Sequence, residues 1–476
     1  MSTVIKPAVF QRNIGAKSTS VSEKFAEFAA SFDIERVPND VVYLAKLHLL
    51  DSFGIALAST TRNFAQRALM AARGLAGDGP SPVIGMSARL PMRDAAMVNG
   101  TLIHGLAFDD TYTSGIFHAS SSAVPAMLAA ALTQRKSGRD ALAAYLVGIE
   151  VGTRIAKAAG GSFHVAGFHP TSVVGTYACA MIAGRLMDLN EQQLMHAQGL
   201  AHSMAGGMRE YHTDGAWSKR VHPGLAAANG ITSAAWAKHG YTGPRTCYEG
   251  KYGLYNCMTD QTEPDVEACS YGLGEEWEII NVGFKPYPAC NWNDAFIDCV
   301  LALREEHNLT PDDIESVTAY VHKDQMAICE PEISKRRPQN SYSSQFSIQY
   351  TIAAALTRGR FTLSEIQPEA FLDPGIATLS DRVSYEITDG TLFPEYFSGA
   401  VSIRTTDGRE LTHSQQYNRG SDLSPISATQ VAEKFEDNAL RAVSERRAKR
   451  IRKAIMGLET ADDLLDLDSA ICLASD

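Results

Sequence analysis

Three histidines stand just ahead of stretches rich in small side chains. His118 precedes Ser120-Ser121-Ser122 and the run Ala123 to Leu132, His169 precedes Pro170-Thr171-Ser172, and His222 precedes Pro223-Gly224 and a helical pattern from Leu225 to Lys238. The first turn of a helix presents unpaired N–H groups at the positive end of its dipole, which makes it a natural carboxylate or phosphate site. Ser, Thr and Pro also start helices for purely structural reasons. Asp109-Asp110-Thr111 lies between His104 and His118. Paired acids there can hold a general base, a metal or the hydrogen bond that orients His118, and they equally suit the end of a helix. Cations follow in Lys219-Arg220-Val221-His222 and in Lys285-Pro286-Tyr287-Pro288-Ala289-Cys290. Arginine grips a carboxylate with two parallel bonds, whereas lysine can also donate a proton if its pKa is lowered. Cys290 stands near prolines without the sequence signature of a nucleophilic cysteine. Together these residues describe an anion-binding cleft in which a proton can be moved beside a carboxylate. The chain has no G-x-G-x-x-G, P-loop, H-E-x-x-H or EF-hand pattern, so neither a nucleotide cofactor nor a metal is expected.

The elements that must position these residues read as helices over the first 280 residues. Ser20-Val21-Ser22-Glu23 is a capping box, with Phe25, Phe28, Ala29 and Phe32 following at helical spacing. Helical patterns recur at 38–58, 62–75, 92–107, 121–136, 138–159, 172–187, 190–205 and 223–239. No strands alternate with them, which argues against a doubly wound nucleotide-binding sheet. After Asn281 the period changes. Val317, Ala319 and Val321 alternate with polar residues, as do Val383, Tyr385 and Ile387, and Val401-Ser402-Ile403 leads through the Asp407-Gly408 turn to Glu410-Leu411-Thr412. Helices are expected at 292–307 and 343–358, then again from Ser427 to Val443 and on to Leu467. The fold class is mainly α with an α+β part: a loose arm over 1–19, an all-helical domain over 20–280, a smaller α+β lid over 281–412, and C-terminal helices over 413–476 that rejoin the helical body. His118, His169 and Lys219 belong to the body and Lys285 to the change of pattern, so the site is expected at the cleft between the two.

The chain has 476 residues, enough for two or three structural units. It carries 43 Lys+Arg against 54 Asp+Glu, a net charge of −11. Such a surface repels phosphate backbones and anionic lipid, so no nucleic-acid partner is expected. No membrane span is expected either, because Ala123 to Leu132, the most apolar run, is about half the ~20 residues a spanning helix needs. Eight scattered cysteines without a C-x-x-C pair fit free thiols in a reducing compartment, and the cytoplasm is the expected location.

The ordered set Asn99-Gly100-x3-His104-x3-Phe108-Asp109-Asp110-Thr111, His118-x6-Pro125-Ala126, Gly167-Phe168-His169-Pro170-Thr171, Lys219-x2-His222-x-Gly224, Phe284-Lys285-Pro286-Tyr287-Pro288 and Gln345-Phe346-Ser347 resembles the MmgE/PrpD family. The resemblance runs from about residue 22 to 456. It implies a large helical domain with an α+β lid, a homodimer, and chemistry α to a carboxylate of a small polycarboxylate without metal or organic cofactor. It also implies site roles for Thr111, His118, His169, Lys219 and Lys285. Two positions depart from the family pattern: Ala107 stands where many members have an acid, and Cys290 where the animal decarboxylases have histidine. The expected activity is a lyase, with dehydration of a 2-methylcitrate-like hydroxy acid ahead of cis-aconitate-type decarboxylation and α-carbon epimerisation. A carboxylate-binding protein without turnover is the alternative from another class. In the leading reading His118 or His169 moves the proton, Asp109 or Asp110 stands in for the acid missing at Ala107, Thr111 orients the substrate, and Lys219, Lys285, His222 and Cys290 contact the substrate.

Overall fold

The computed structural model describes residues 19–260, 265–393 and 396–473. The arm expected over 1–19 lies outside them, Thr19 apart. Among the described residues, nine helices of ten residues or more precede residue 280: α1 (Val21–Ser31), α2 (Asn39–Ser59), α3 (Asn63–Ala76), α4 (Met92–His104), α5 (Ala119–Thr133), α6 (Gly138–Ala159), α7 (Pro170–Leu186), α8 (Glu191–His202) and α9 (Ser218–Lys238). The capping box at Ser20 is formed, with the Ser20 N–H on the Glu23 carboxylate at 2.8 Å. Four strands, β1 (Ser81–Pro82), β2 (Arg89–Leu90), β3 (Thr111–Tyr112) and β4 (Val282–Gly283), make two short antiparallel ribbons, β1–β2 and β3–β4. Two-residue strands carry no periodicity, and the sequence reading has neither ribbon.

Close packing of the body rests on small residues. Gly100 of α4 meets Gly224 of α9 so closely that a Cβ on Gly100 would lie 2.7 Å from the Gly224 Cα. This contact brings the C-terminal end of α4, and His104 with it, up to the first turns of α9. The α5 and α7 helices are likewise in contact at Gly175, where a Cβ would lie 2.6 Å from Ser122 Oγ. α2 is buried by neighbours on all sides, and apolar residues therefore surround its axis. Its 21 residues and mean hydropathy of 1.5 are enough to cross a membrane by length and composition, and 89% of that window is buried inside the fold.

Two boundaries differ from expectation. α4 ends at His104 rather than at residue 107, because Ala107 has φ of +52°, a left-handed conformation that an α-helix of L-residues cannot continue through. α9 begins at Ser218, more than a turn before the expected 223. Proline lacks the N–H that would bond the carbonyl four residues back, so Pro223 stays in the helix by leaving the Lys219 carbonyl without that donor. Lys219 and His222 are consequently helical residues.

The lid is a four-stranded sheet of β5 (Ile314–Val321), β6 (Val383–Ile387), β7 (Gly399–Thr405) and β8 (Glu410–Gln415) in the order β6-β5-β7-β8. β5 and β6 are parallel, pairing Val317 with Val383, and the other neighbours are antiparallel, pairing Ile403 with Val317 and with Leu411. Helices α10 (Asn291–His307) and α11 (Ile348–Arg358) cover the sheet, and α12 (Pro374–Asp381) packs on α11. Val317, Ala319, Val383, Val401 and Ile403 supply the buried side. The C-terminal helices are α13 (Ala428–Ala439), α14 (Glu445–Met456) and α15 (Leu465–Ile471), and both α13 and α14 lie against α2.

Candidate active site

The segment from His104 to Thr111 links α4 to β3 and passes through the middle of the site. Its carbonyls are gripped one after another by side chains from different parts of the chain. Gln345 Nε2 donates to the Leu106 carbonyl at 2.7 Å, Lys285 Nζ to the Ala107 carbonyl, Lys434 Nζ to the Phe108 carbonyl at 2.9 Å and the His118 ring to the Asp110 carbonyl at 2.8 Å. The lid, the crossing between lid and body, and α13 thus all hold the one stretch that bears the acids.

The two adjacent acids face different partners. Asp109 Oδ2 lies 2.7 Å from His104 Nδ1 and 3.9 Å from His118 Nδ1. Burial raises its pKa, but His104, His118 and Lys219 outweigh that and hold the carboxyl well below its usual range. Asp110 turns the other way. It accepts from the Ser120 backbone N–H at 3.1 Å and from the Ser120 hydroxyl, capping the first turn of α5. Its second neighbour, His48 Nδ1, is 2.9 Å away but off the line of a hydrogen bond. Asp110 therefore anchors the start of α5, and of the two candidate acids it is Asp109 that lies against His104 and His118.

Four histidines come together. Ring centres are 5.0 Å apart for His104–His118, 5.4 Å for His104–His169 and 5.2 Å for His169–His222. His118 and His169 are the N-cap residues of α5 and α7, and the His118 N–H donates to Thr171 Oγ1 at 3.1 Å, which ties the two helix starts together. His118 Nδ1 is held by the Asp110 carbonyl, with Thr111 Oγ1 3.2 Å away. The proton is thus on Nδ1 and Nε2 keeps its lone pair. Burial pushes the pKa of all four rings down, to about 4 for His104 and His222 and well below 6.5 for His169. All four are neutral at neutral pH. His169 Nδ1 and His222 Nδ1 are 3.1 Å apart, an arrangement that needs opposite tautomers in the two rings.

The lysines divide as the acids do. Lys219 is half-buried and among the described residues has no hydrogen-bond or ion-pair partner for its ammonium. Burial lowers its pKa to about 8, with Asp109 opposing. Lys285 is 4% exposed and donates to the carbonyls of Ala107 and Ala289. Its charge is close enough to depress His118 and Lys219, but two of its three N–H bonds are occupied by backbone. At the position where a carboxylate-binding lysine is expected, the buried ammonium clamps the 107 and 289 carbonyls. Cys290 is the N-cap residue of α10, its N–H on the Gln345 carbonyl at 2.8 Å. Burial pushes its thiol up, so it is protonated at neutral pH. Among the described residues all eight cysteines are free, and no group of three or more His, Cys, Asp or Glu side chains has the arrangement to hold a metal ion.

The family models describe both halves of the chain. The MmgE/PrpD N-terminal domain matches residues 23–267 and the MmgE/PrpD C-terminal domain matches residues 287–460. The chain belongs to the MmgE/PrpD family. Similar proteins include the cis-aconitate decarboxylase of Aspergillus terreus, 27% identical over 95% of this chain and 96% of its own, and the cis-aconitate decarboxylase of Homo sapiens, 27% identical over 93% of each. The 2-methylcitrate dehydratase of Salmonella typhimurium is 25% identical over 69% of this chain and 72% of its own. Decarboxylases and dehydratases are both lyases, which supports lyase chemistry for this MmgE/PrpD member at the level of class. Three residues of the site escape the sequence reading. His104 was visible as part of a motif and carried a signal in its spacing to Asp109; Gln345 stood in a motif with no role attached; Lys434, in a polar helix of ordinary composition, carried none.

Proposed function

We propose that this protein eliminates water from a hydroxylated small polycarboxylate, of which 2-methylcitrate is the leading candidate, without a metal or organic cofactor. The observation that carries the proposal is the pairing of a bare, neutral His118 Nε2 with the unpartnered ammonium of Lys219. In this reading Nε2 takes the proton from a carbon α to a carboxylate, the C–O bond to the β-hydroxyl breaks as the double bond forms, and the Lys219 ammonium protonates the departing oxygen. The helix starts at α5 and α7 and the Lys219 charge stabilise the enediolate-like state before water leaves. Asp109 holds His104 and, through its charge, favours the protonated His118 that forms. Neutral buried rings suit removal of a proton, a step that decarboxylation does not need.

A second reading, decarboxylation of cis-aconitate, is favoured by the observation that the decarboxylases are similar over almost the whole chain and the dehydratase over about two thirds. In that case Lys219 would protonate the carbanion left by carbon dioxide. Chelator-treated protein incubated with 2-methylcitrate and with cis-aconitate, followed by proton NMR and headspace carbon dioxide, separates the two. Appearance of an unsaturated tricarboxylate without gas is the expected result. Carbon dioxide release from cis-aconitate selects the second reading, and turnover that returns only with added metal overturns the cofactor-free claim.

A further inference from the structure

Lys219 and Arg220 are consecutive in the first turn of α9, so their side chains leave the helix about 100° apart. Lys219 turns toward Asp109, whereas Arg220 turns toward α3. The Arg220 guanidinium carbon is 4.7 Å from the Phe64 ring centre and 5.2 Å from that of Trp217. Phe64 in turn presses on Gly105, where a Cβ would lie 2.2 Å from the ring. One aromatic ring therefore separates Arg220 from the backbone next to His104.

Among the described residues this half-buried guanidinium has no hydrogen-bond or ion-pair partner. Its charged neighbours are other cations, Arg62 and Lys219, with Arg67 over the same Trp217 ring, and the lid brings the Tyr342 hydroxyl near it. Arg62 reaches Gln367 through one nitrogen, while its Nε is buried without a partner. It also feels Arg441 and, more weakly, the exposed Glu369. Partly desolvated like charges packed side by side destabilise a fold unless something negative joins them. This chain has an excess of 11 negative charges, yet among the described residues none pairs with Arg220. Lys285 does not fill a second carboxylate-binding role, since backbone carbonyls occupy it.

We propose that Arg220 binds the substrate carboxylate farthest from the reacting carbon, so that the site selects tricarboxylates over dicarboxylates. The inference rests on the polycarboxylate reading above and adds the residue that counts the carboxylates. Arginine suits the task because its face stacks on Phe64 while its edge keeps a fork of N–H donors for two carboxylate oxygens. Lys219 and Arg220 then hold different arms of one ligand from adjacent positions on one helix.

Calorimetric titration with citrate and with malate, which lacks one carboxymethyl arm, tests this in the intact chain. Wild type is expected to favour citrate by at least about tenfold, the scale of one charge-assisted pair. Arg220→Gln is expected to weaken citrate by about 30-fold and malate by less than about threefold, with Arg220→Lys in between on citrate. Equal weakening of both ligands in Arg220→Gln, whether from misfolding or a general charge effect, overturns the inference, and so does no weakening of either. Wild type that binds neither ligand overturns the polycarboxylate reading and this inference with it, whereas unselective wild-type binding sinks the inference alone.

Discussion

Turnover at saturating substrate should fall as pH rises through about 8, the pKa to which burial brings Lys219. If the ammonium is the acid, the active fraction is about 0.9 at pH 7 and about 0.1 at pH 9, close to a tenfold loss over two pH units. Two substitutions should move that limb in opposite directions. Asp109 favours the charged form and Arg220 opposes it, so Asp109→Asn should lower the limb by about one pH unit and Arg220→Gln should raise it by less. The same group has a signature in stability. The drop from 10.5 to about 8 corresponds to ~3.4 kcal/mol against the charged form. An unfolded lysine keeps its proton to about 10.5, so the penalty is complete below pH 8 and fades as pH rises from 8 to 10.5. Lys219→Met should therefore stabilise the fold at pH 7 by up to ~3 kcal/mol, a ceiling because the half-buried ammonium keeps some water, while abolishing turnover. Initial rates from pH 6 to 10 and urea midpoints at pH 7 measure both. Rates that stay level to pH 9.5, or a destabilised Lys219→Met, would refute the reasoning.

His118→Gln removes the proposed base and should reduce kcat by about 10²–10⁴ with KM changed only a few-fold; steady-state kinetics with an unchanged kcat would move the base elsewhere. Asp110→Asn weakens the cap on α5 and should lower stability in urea by about 1–3 kcal/mol, with turnover of the folded protein kept within about tenfold. A stable variant with a thousandfold loss would put Asp110 in the chemistry. Lys285→Met leaves the Ala107 and Ala289 carbonyls without donors and should destabilise the protein by about 2–5 kcal/mol, read as a lower urea midpoint. A fully stable variant that loses only substrate affinity would restore Lys285 to the carboxylate-binding role.

The repeating contacts of helices and strands were legible in the sequence because they are local. Helical spacing and the Ser20–Glu23 cap located the body, and the alternation around Val317, Val383 and Val401 located the lid sheet. The histidines and Lys219 stood out because each began a stretch of small residues, and three of those stretches are indeed helices that meet: α5, α7 and α9. What two adjacent residues do is a different matter. Asp109 and Asp110 read alike in sequence, and so do Lys219 and Lys285 beside their turns, yet one of each pair faces the histidines while the other is occupied by Ser120 or by backbone carbonyls. That division follows from which way the 104–111 segment faces. Its orientation is set by Gln345, Lys285 and Lys434, which lie 239, 178 and 326 residues from the carbonyls they hold. Contacts at such separations come from the packing of whole elements, through the Gly100–Gly224 crossing and the seating of α13 on α2, and no periodicity records them. Candidates for the chemistry were therefore written in the chain, whereas the choice among them was made by the tertiary structure, because a side chain's role depends on which buried partner reaches it first.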